Sequence, residues 1–325
     1  MYQARTAQRR RTVWIAAALA ALAFVLLTQA GCTKAAAPGA TTVATSTVPV
    51  ADTSEFPLKV TDDSFNEITF SVPPTRIVSL APANTEIVYA LGMFSHVVGV
   101  TTWDDYPSAV KDVAKVGDFT TPNLEAIAAA RPDVILVTGG VQADVKAKLS
   151  ALGAKVVVID PKDIEGVYRE IDLVGRILGV RAEGEKVVSK MRDDLSLIRA
   201  KVSAEPTVTA FIEIGWNPLY TAGPGTLLND LLVQAGGVNV VREKGYVGYS
   251  VEQLVKDQPQ VYLGTLSSIG TSTALAQRPG YAALSAIKSN QVFQLSDDLV
   301  SRPGPRIVEG VLEMAKALHP DQFSK

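Results

Sequence analysis

His96 and His319 are the only histidines of this chain, and they stand far apart, each beside a predicted helix end. A histidine-based triad or a multi-histidine metal site is hard to build from such a pair. Gly223-Pro224-Gly225 lacks the third glycine and the preceding strand of a dinucleotide fingerprint, and reads as a turn. Carboxylates are plentiful, but spacing singles out no pair. The chain is therefore read as a non-enzyme with no catalytic residue, no metal site and no cofactor. What does stand out is the placement of aromatic side chains. Trp103 and Tyr106 follow a predicted strand at 97–101, Phe119 precedes a helix at 123–130, Trp216 and Tyr220 follow a strand at 208–214, and Tyr246 and Tyr249 precede a helix at 251–256. All fall in predicted loops. In parallel α/β sheets the loops at the carboxyl ends of strands form the ligand crevice.

The elements that must position these rings are written twice. Residues 123–136 read NLEAIAAARPDVIL and residues 250–263 read SVEQLVKDQPQVYL. Each copy has a Glu (Glu125, Glu252), a branched apolar residue two places on, Pro seven places on (Pro132, Pro259) and then an apolar run. A short amphipathic helix that stops at proline and hands over to a strand is the expected unit. A carboxylate on the first turn of such a helix is favoured by the helix dipole and is free to make a charge-assisted bond to arginine.

Around the two copies the pattern alternates strand and helix, which implies largely parallel sheets covered on both faces. Residues 56–72 alternate like a hairpin leading in. From 164 to 203 the pattern is helical alone, weakly broken at Gly179, with Val187, Met191, Leu195, Ile198 and Val202 forming one stripe. The expected architecture is α/β: two Rossmann-like lobes at 56–163 and 205–325, joined by one long linking helix within 164–204. Such a linker resists hinge closure, so modest movement on binding is expected.

Residues 1–31 carry Arg5, Arg9, Arg10 and Arg11 ahead of an apolar run at 13–27, the grammar of a cleaved export signal. Cys32, the single cysteine, follows Ala30-Gly31 as a lipidated cysteine would, although Gln29 departs from the usual Leu or Val. Residues 32–55 are rich in Ala, Thr, Val, Ser and Pro and read as a flexible tether. The expected address is the outer face of the cytoplasmic membrane, through a lipid on Cys32. Without residues 1–31, 27 Lys+Arg face 33 Asp+Glu, an acidic balance that argues against nucleic acid as a partner.

SLAPANTEIVYALG (79–92), GVTTWDDYP (99–107), the NLE…RPDVIL block, GWNPLYTAGPGTLLNDLLVQAGGVNVV (215–241), YSVEQL and SRPGPRIV (301–308) keep their order over 56–320. In these motifs the chain resembles the iron-siderophore and vitamin B12 substrate-binding proteins of ABC importers, which have the class III periplasmic-binding-protein architecture. The resemblance implies a monomer that carries a corrinoid, or alternatively a ferric siderophore or haem, to a permease dimer with its ATPase subunits. It implies that Trp103, Phe119 and Tyr246 stack on the ligand and that Asp298 and Arg302 bond its rim, with Asp297 the alternative carboxylate. Ile214 stands where the family's corrin binders have Phe, and Trp216 or Tyr220 is the candidate replacement. Glu125 and Glu252 take the places of the two carboxylates that reach arginine clusters on the permease. The loops also hold Asp104, Asp105 and Asp118, which disfavour a trianionic ligand. A surface adhesion or sensory module is the reading from another class.

Overall fold

A computed structural model of the chain describes residues 48–324. The export signal, Cys32 and the tether up to residue 47 lie outside the described residues. Three of the last eight residues read as tether touch the folded body: the Pro49 ring lies against Gly92, the Asp52 amide donates to Gly179 O at 2.7 Å, and Glu55 pairs with Arg181 at 2.9 Å.

An antiparallel hairpin, β1 (Leu58–Thr61) and β2 (Glu67–Phe70), leads into the first lobe. There follow β3 (Ile77–Ser79), α1 (Pro82–Ala90), β4 (Val97–Gly99), α2 (Leu124–Ala130), β5 (Val134–Thr138), α3 (Lys146–Ser150) and β6 (Lys155–Ile159). The sheet is parallel, in the order β4-β3-β5-β6. Helices α4 (Ile164–Ile177) and α5 (Arg181–Val202) come next. The second lobe runs β7 (Val208–Gly215), β8 (Tyr220–Ala222), α6 (Leu227–Gln234), β9 (Gly237–Asn239), β10 (Tyr246–Gly248), α7 (Val251–Asp257) and β11 (Val261–Thr265). It continues through α8 (Leu266–Ile269), α9 (Ser272–Ala276), α10 (Ser285–Lys288), β12 (Val292–Leu295), α11 (Asp297–Ser301) and α12 (Ile307–Leu318).

The repetition in sequence is a repetition in structure. Helices α2 and α7 begin, end and hand over to β5 and β11 with the same spacing throughout. Asn123 accepts from the Glu125 and Ala126 amides at 3.1 Å, and Ser250 accepts from the Gln253 amide at 3.0 Å, so both helices are capped by side chains. Both end on a non-glycine residue in the left-handed region, Arg131 (φ 46°) and Gln258 (φ 43°), because the following proline excludes the right-handed helical conformation. β9, β7, β11 and β12 repeat the parallel connections of β4, β3, β5 and β6. The second sheet adds β8 and β10, both antiparallel, so it is mixed.

The pleat sorts side chains into three cores. Ile77, Val134, Leu136, Ala210, Ile212, Val261 and Leu263 point to one continuous core that runs through α4 and α5 from lobe to lobe. Their neighbours Val78, Ile135 and Val137 face the outer core of the first lobe, and Phe211 and Tyr262 that of the second. The linker differs from one long helix. Gly179 (φ 71°) turns the chain, and α5 folds back along α4. The shorter helix makes the bridge, since α4 packs on β1 and α1 of the first lobe and on α6 of the second, where the Ile164 amide donates to Asp230 at 2.8 Å.

The sequence pattern also predicts helices at 143–152 and 281–287; the first begins as a tighter 3-10 turn, Gly140–Val145, and the second divides into such a turn and α10.

Candidate ligand cleft

Because β3 to β6 are parallel, their carboxyl ends share one edge, and the chain leaves that edge through the segments that carry Glu86, Trp103, Phe119 and Asp160. A buried amide holds these segments in place. Gln142 donates to Leu80 O at 2.6 Å and Phe119 O at 2.8 Å, and accepts from the Thr138 amide at 2.9 Å. Trp103 stays 63% exposed. Its indole N–H donates to Asp118 at 2.7 Å, and Asp118 also takes the Thr120 amide and hydroxyl. These bonds, the Thr120 amide first, hold the Asp118 carboxyl below its ordinary range. Trp103 is thereby tied to the turn that carries Phe119, which is half-buried.

In the second lobe Trp216 follows β7. Its ring stands edge-on to Tyr281 at 5.3 Å between centroids, and the Arg278 guanidinium lies 4.4 Å over it. Arg278 grips the fully buried Glu213 at 2.7 and 2.9 Å, and the Tyr262 hydroxyl donates to the same carboxylate at 2.5 Å. Burial pushes Glu213 up, against the pull of Arg278 and Tyr262. Tyr220 and Tyr246 belong to strands β8 and β10 rather than to loops. Tyr220 pairs with Gly248 and Ala222 with Tyr246, which puts both rings on one sheet face, and Gly248 leaves room beside the Tyr220 ring. The hairpin-like approach requires glycine at 223, where a Cβ would stand 1.8 Å from Glu243 O. Tyr246 is 54% exposed; its hydroxyl is pushed up by its surroundings first and by Asp160 of the first lobe second. Ile214 packs at the rim of the central core.

The lobes meet in a charged cluster. Arg302 bonds Asp105 at 2.6 and 3.2 Å, Glu86 at 3.2 Å and Asp298 at 2.6 Å. Arg306 bonds Glu86 at 2.9 and 2.6 Å and lies 4.3 Å over the Tyr106 ring. Asp298, not Asp297, is thus the carboxylate that reaches Arg302, while Asp297 accepts from Ser267 at 3.0 Å. Arg302 holds Asp105 below the ordinary carboxylate range. Asp104 does not belong with the cleft's acids: it is buried, accepts from Thr85 and Thr101, and is pushed up by burial.

Sequence pattern does not point to the roles of Glu86, Asp105, Arg306, Arg278 and Gln142. For Glu86 alone a signal exists, the one charged residue of α1, just ahead of the apolar Ile87 and Val88. Grooves of 640 and 670 Å³ run along α5, one towards α12 and one towards α4, and carry none of the exposed rings. Glu125 and Glu252 are exposed on the first turns of α2 and α7, in equivalent places of the two lobes. Among the described residues, no group of His, Cys, Asp and Glu could hold a metal ion, and no helix is long and apolar enough to cross a membrane.

Residues 77–299, more than half of the chain, match the periplasmic binding protein family. The chain belongs to the periplasmic binding protein family. An uncharacterised ABC transporter substrate-binding lipoprotein of Bacillus subtilis (strain 168), YvrC, is 35% identical over 84% of this chain and 89% of its own. The periplasmic vitamin B12 binding protein BtuF of Vibrio cholerae superposes with a TM-score of 0.68 at 28% identity, covering 78% of this chain and 99% of its own. A possible iron-binding periplasmic solute-binding protein of Staphylococcus epidermidis superposes with a TM-score of 0.69 at 30% identity, covering 76% and 99%. The class III architecture and the iron-siderophore and B12 group expected from the motifs are those of this periplasmic binding protein.

Proposed function

We propose that the chain is the substrate-binding component of an ABC importer, held at the outer face of the cytoplasmic membrane by a lipid on Cys32, and that it carries a corrinoid. The observation that supports this reading is the set of exposed or half-buried aromatic rings on both lobes, Trp103 and Phe119 on the first and Trp216 with Tyr220 and Tyr246 of β8 and β10 on the second. The lobes are also joined by a polar cluster whose arginines are already met by carboxylates. Apolar faces with an amide-fringed rim suit such a site, because rings cover the faces and a few polar groups fix the edge. Glu125 and Glu252 are the proposed contacts to the two permease subunits. Exposed charges of this kind govern encounter and register more than affinity. Binding and release need no covalent step.

The second reading, a ferric siderophore or haem, draws on the iron-binding relative of similar fold. The discriminating experiment mixes the purified protein with cyanocobalamin, with a ferric hydroxamate or with haemin, and then removes free ligand. Retained corrin absorbance with quenched tryptophan fluorescence is expected. Retention of the iron chelate or haemin alone would replace the corrinoid reading.

A further inference from the structure

The cluster between the lobes divides by burial into two unequal halves. Glu86 is 2% exposed, and both its oxygens are taken by Arg306, whose guanidinium is also backed by Tyr106, which in turn stands edge-on to Tyr89. Gly304 brings the connection between α11 and α12 close against Ala83 O and Glu86, so the two lobes touch here through backbone as well as charge. Asp105 is different: its side chain is 57% exposed and its hold on Arg302 faces water. Charges shielded from water are screened little by salt, whereas an exposed carboxylate exchanges partners readily. Arg302 therefore keeps one buried partner, Glu86, and one on its own segment, Asp298, whose side chain is 42% exposed, whereas Asp105 of the first lobe is the most exposed of the three and the one that can leave at small cost.

We propose that Glu86 and Asp105 latch the lobes through this arginine pair, with Glu86–Arg306 as the permanent half and Asp105–Arg302 as the half that a ligand displaces. The proposal rests on the reading that the ligand enters between the lobes. An acceptor on the ligand rim takes the guanidinium N–H groups that Asp105 gives up, so Asp105 is a competitor that sets affinity, and Glu86 is a positioning residue that sets the width of the cleft.

The test uses the full chain with Cys32 replaced by Ser and spin labels at Ser150→Cys and Ser289→Cys, one exposed site on each lobe. Glu86→Gln should broaden the label-to-label distance distribution, and Asp105→Asn should leave its width as in the parent. Unchanged width in Glu86→Gln, or equal broadening in both, would overturn the latch. In a separate titration, Asp105→Asn should bind cyanocobalamin about twofold to fivefold more tightly than the parent, the size expected when one exposed charge-assisted bond no longer competes. Equal or weaker binding would overturn the exchangeable half. A parent protein that retains no cyanocobalamin contradicts the corrinoid reading, and the distance measurement then decides the latch without ligand.

Discussion

At the scale of single residues, the fold tolerates costly burial where a side chain serves a position. Glu170 on α4 is almost fully buried, one of its oxygens has no partner, and burial, followed by Asp63 nearby, pushes its carboxyl up to about 9. Between the ordinary carboxyl range and that value the folded protein holds a proton that the unfolded chain has released. This group therefore weakens the fold progressively as pH rises through that window. Glu170→Gln keeps the shape and a donor toward Asp63 while removing the titration. It should raise stability at pH 8 by on the order of 3 kcal/mol and much less at pH 5. Thermal unfolding across that range checks it, and parallel profiles for parent and variant would contradict it. Arg278 gives a second case, since Arg278→Met strips Glu213 of its counter-charge and Trp216 of its platform. A loss of about 3–5 kcal/mol is expected on unfolding in denaturant, and a cost below about 1 kcal/mol would show that Glu213 needs no partner.

At the scale of elements, α2 and α7 show how much of the fold is legible in the residues alone. Their proline stop and following strand are written in the sequence, and the parallel strands follow from the same periodicity. The breaks come where local pattern loses to tertiary pairing. Tyr220-Thr-Ala and Tyr246-Val-Gly are too short to announce strands, and only their pairing with each other, with β8 also against β7, makes them so. Gly179 is visible as a weak point, but the fold-back of α5 depends on packing against α4 that no single helix reveals. Of the candidate site, the open rings are legible as aromatics at strand ends, whereas the interlobe cluster is hidden: Glu86 and Arg306 lie 220 residues apart. Removing either cap, by Asn123→Ala or Ser250→Ala, should cost about 1 kcal/mol each in thermal unfolding. Glu125→Ala and Glu252→Ala should instead leave stability and ligand retention alone and lower ligand-dependent stimulation of the permease's ATP hydrolysis. Ligand loss in either variant would move these carboxylates from the proposed docking face into the binding site.

At the scale of the whole molecule, one apolar core passes through α4 and α5 into both lobes, and the Glu86–Arg306 contact joins the lobes a second time. A joint made of packed helices deforms little, because repacking an interior is expensive. Solution scattering with and without bound ligand should therefore nearly superimpose, and a large contraction on binding would contradict the rigid linker. The proposed grip is two-sided, and a calorimetric titration of cyanocobalamin into the parent, Trp103→Ala and Tyr246→Ala addresses it most directly. One ring is removed from each lobe without touching a core. Each variant should bind at least about tenfold more weakly, in line with the roughly 1.5–3 kcal/mol carried by a buried large side chain, while unfolding at the parent's temperature. Unchanged affinity in either variant would mean that the ligand is not held between the lobes.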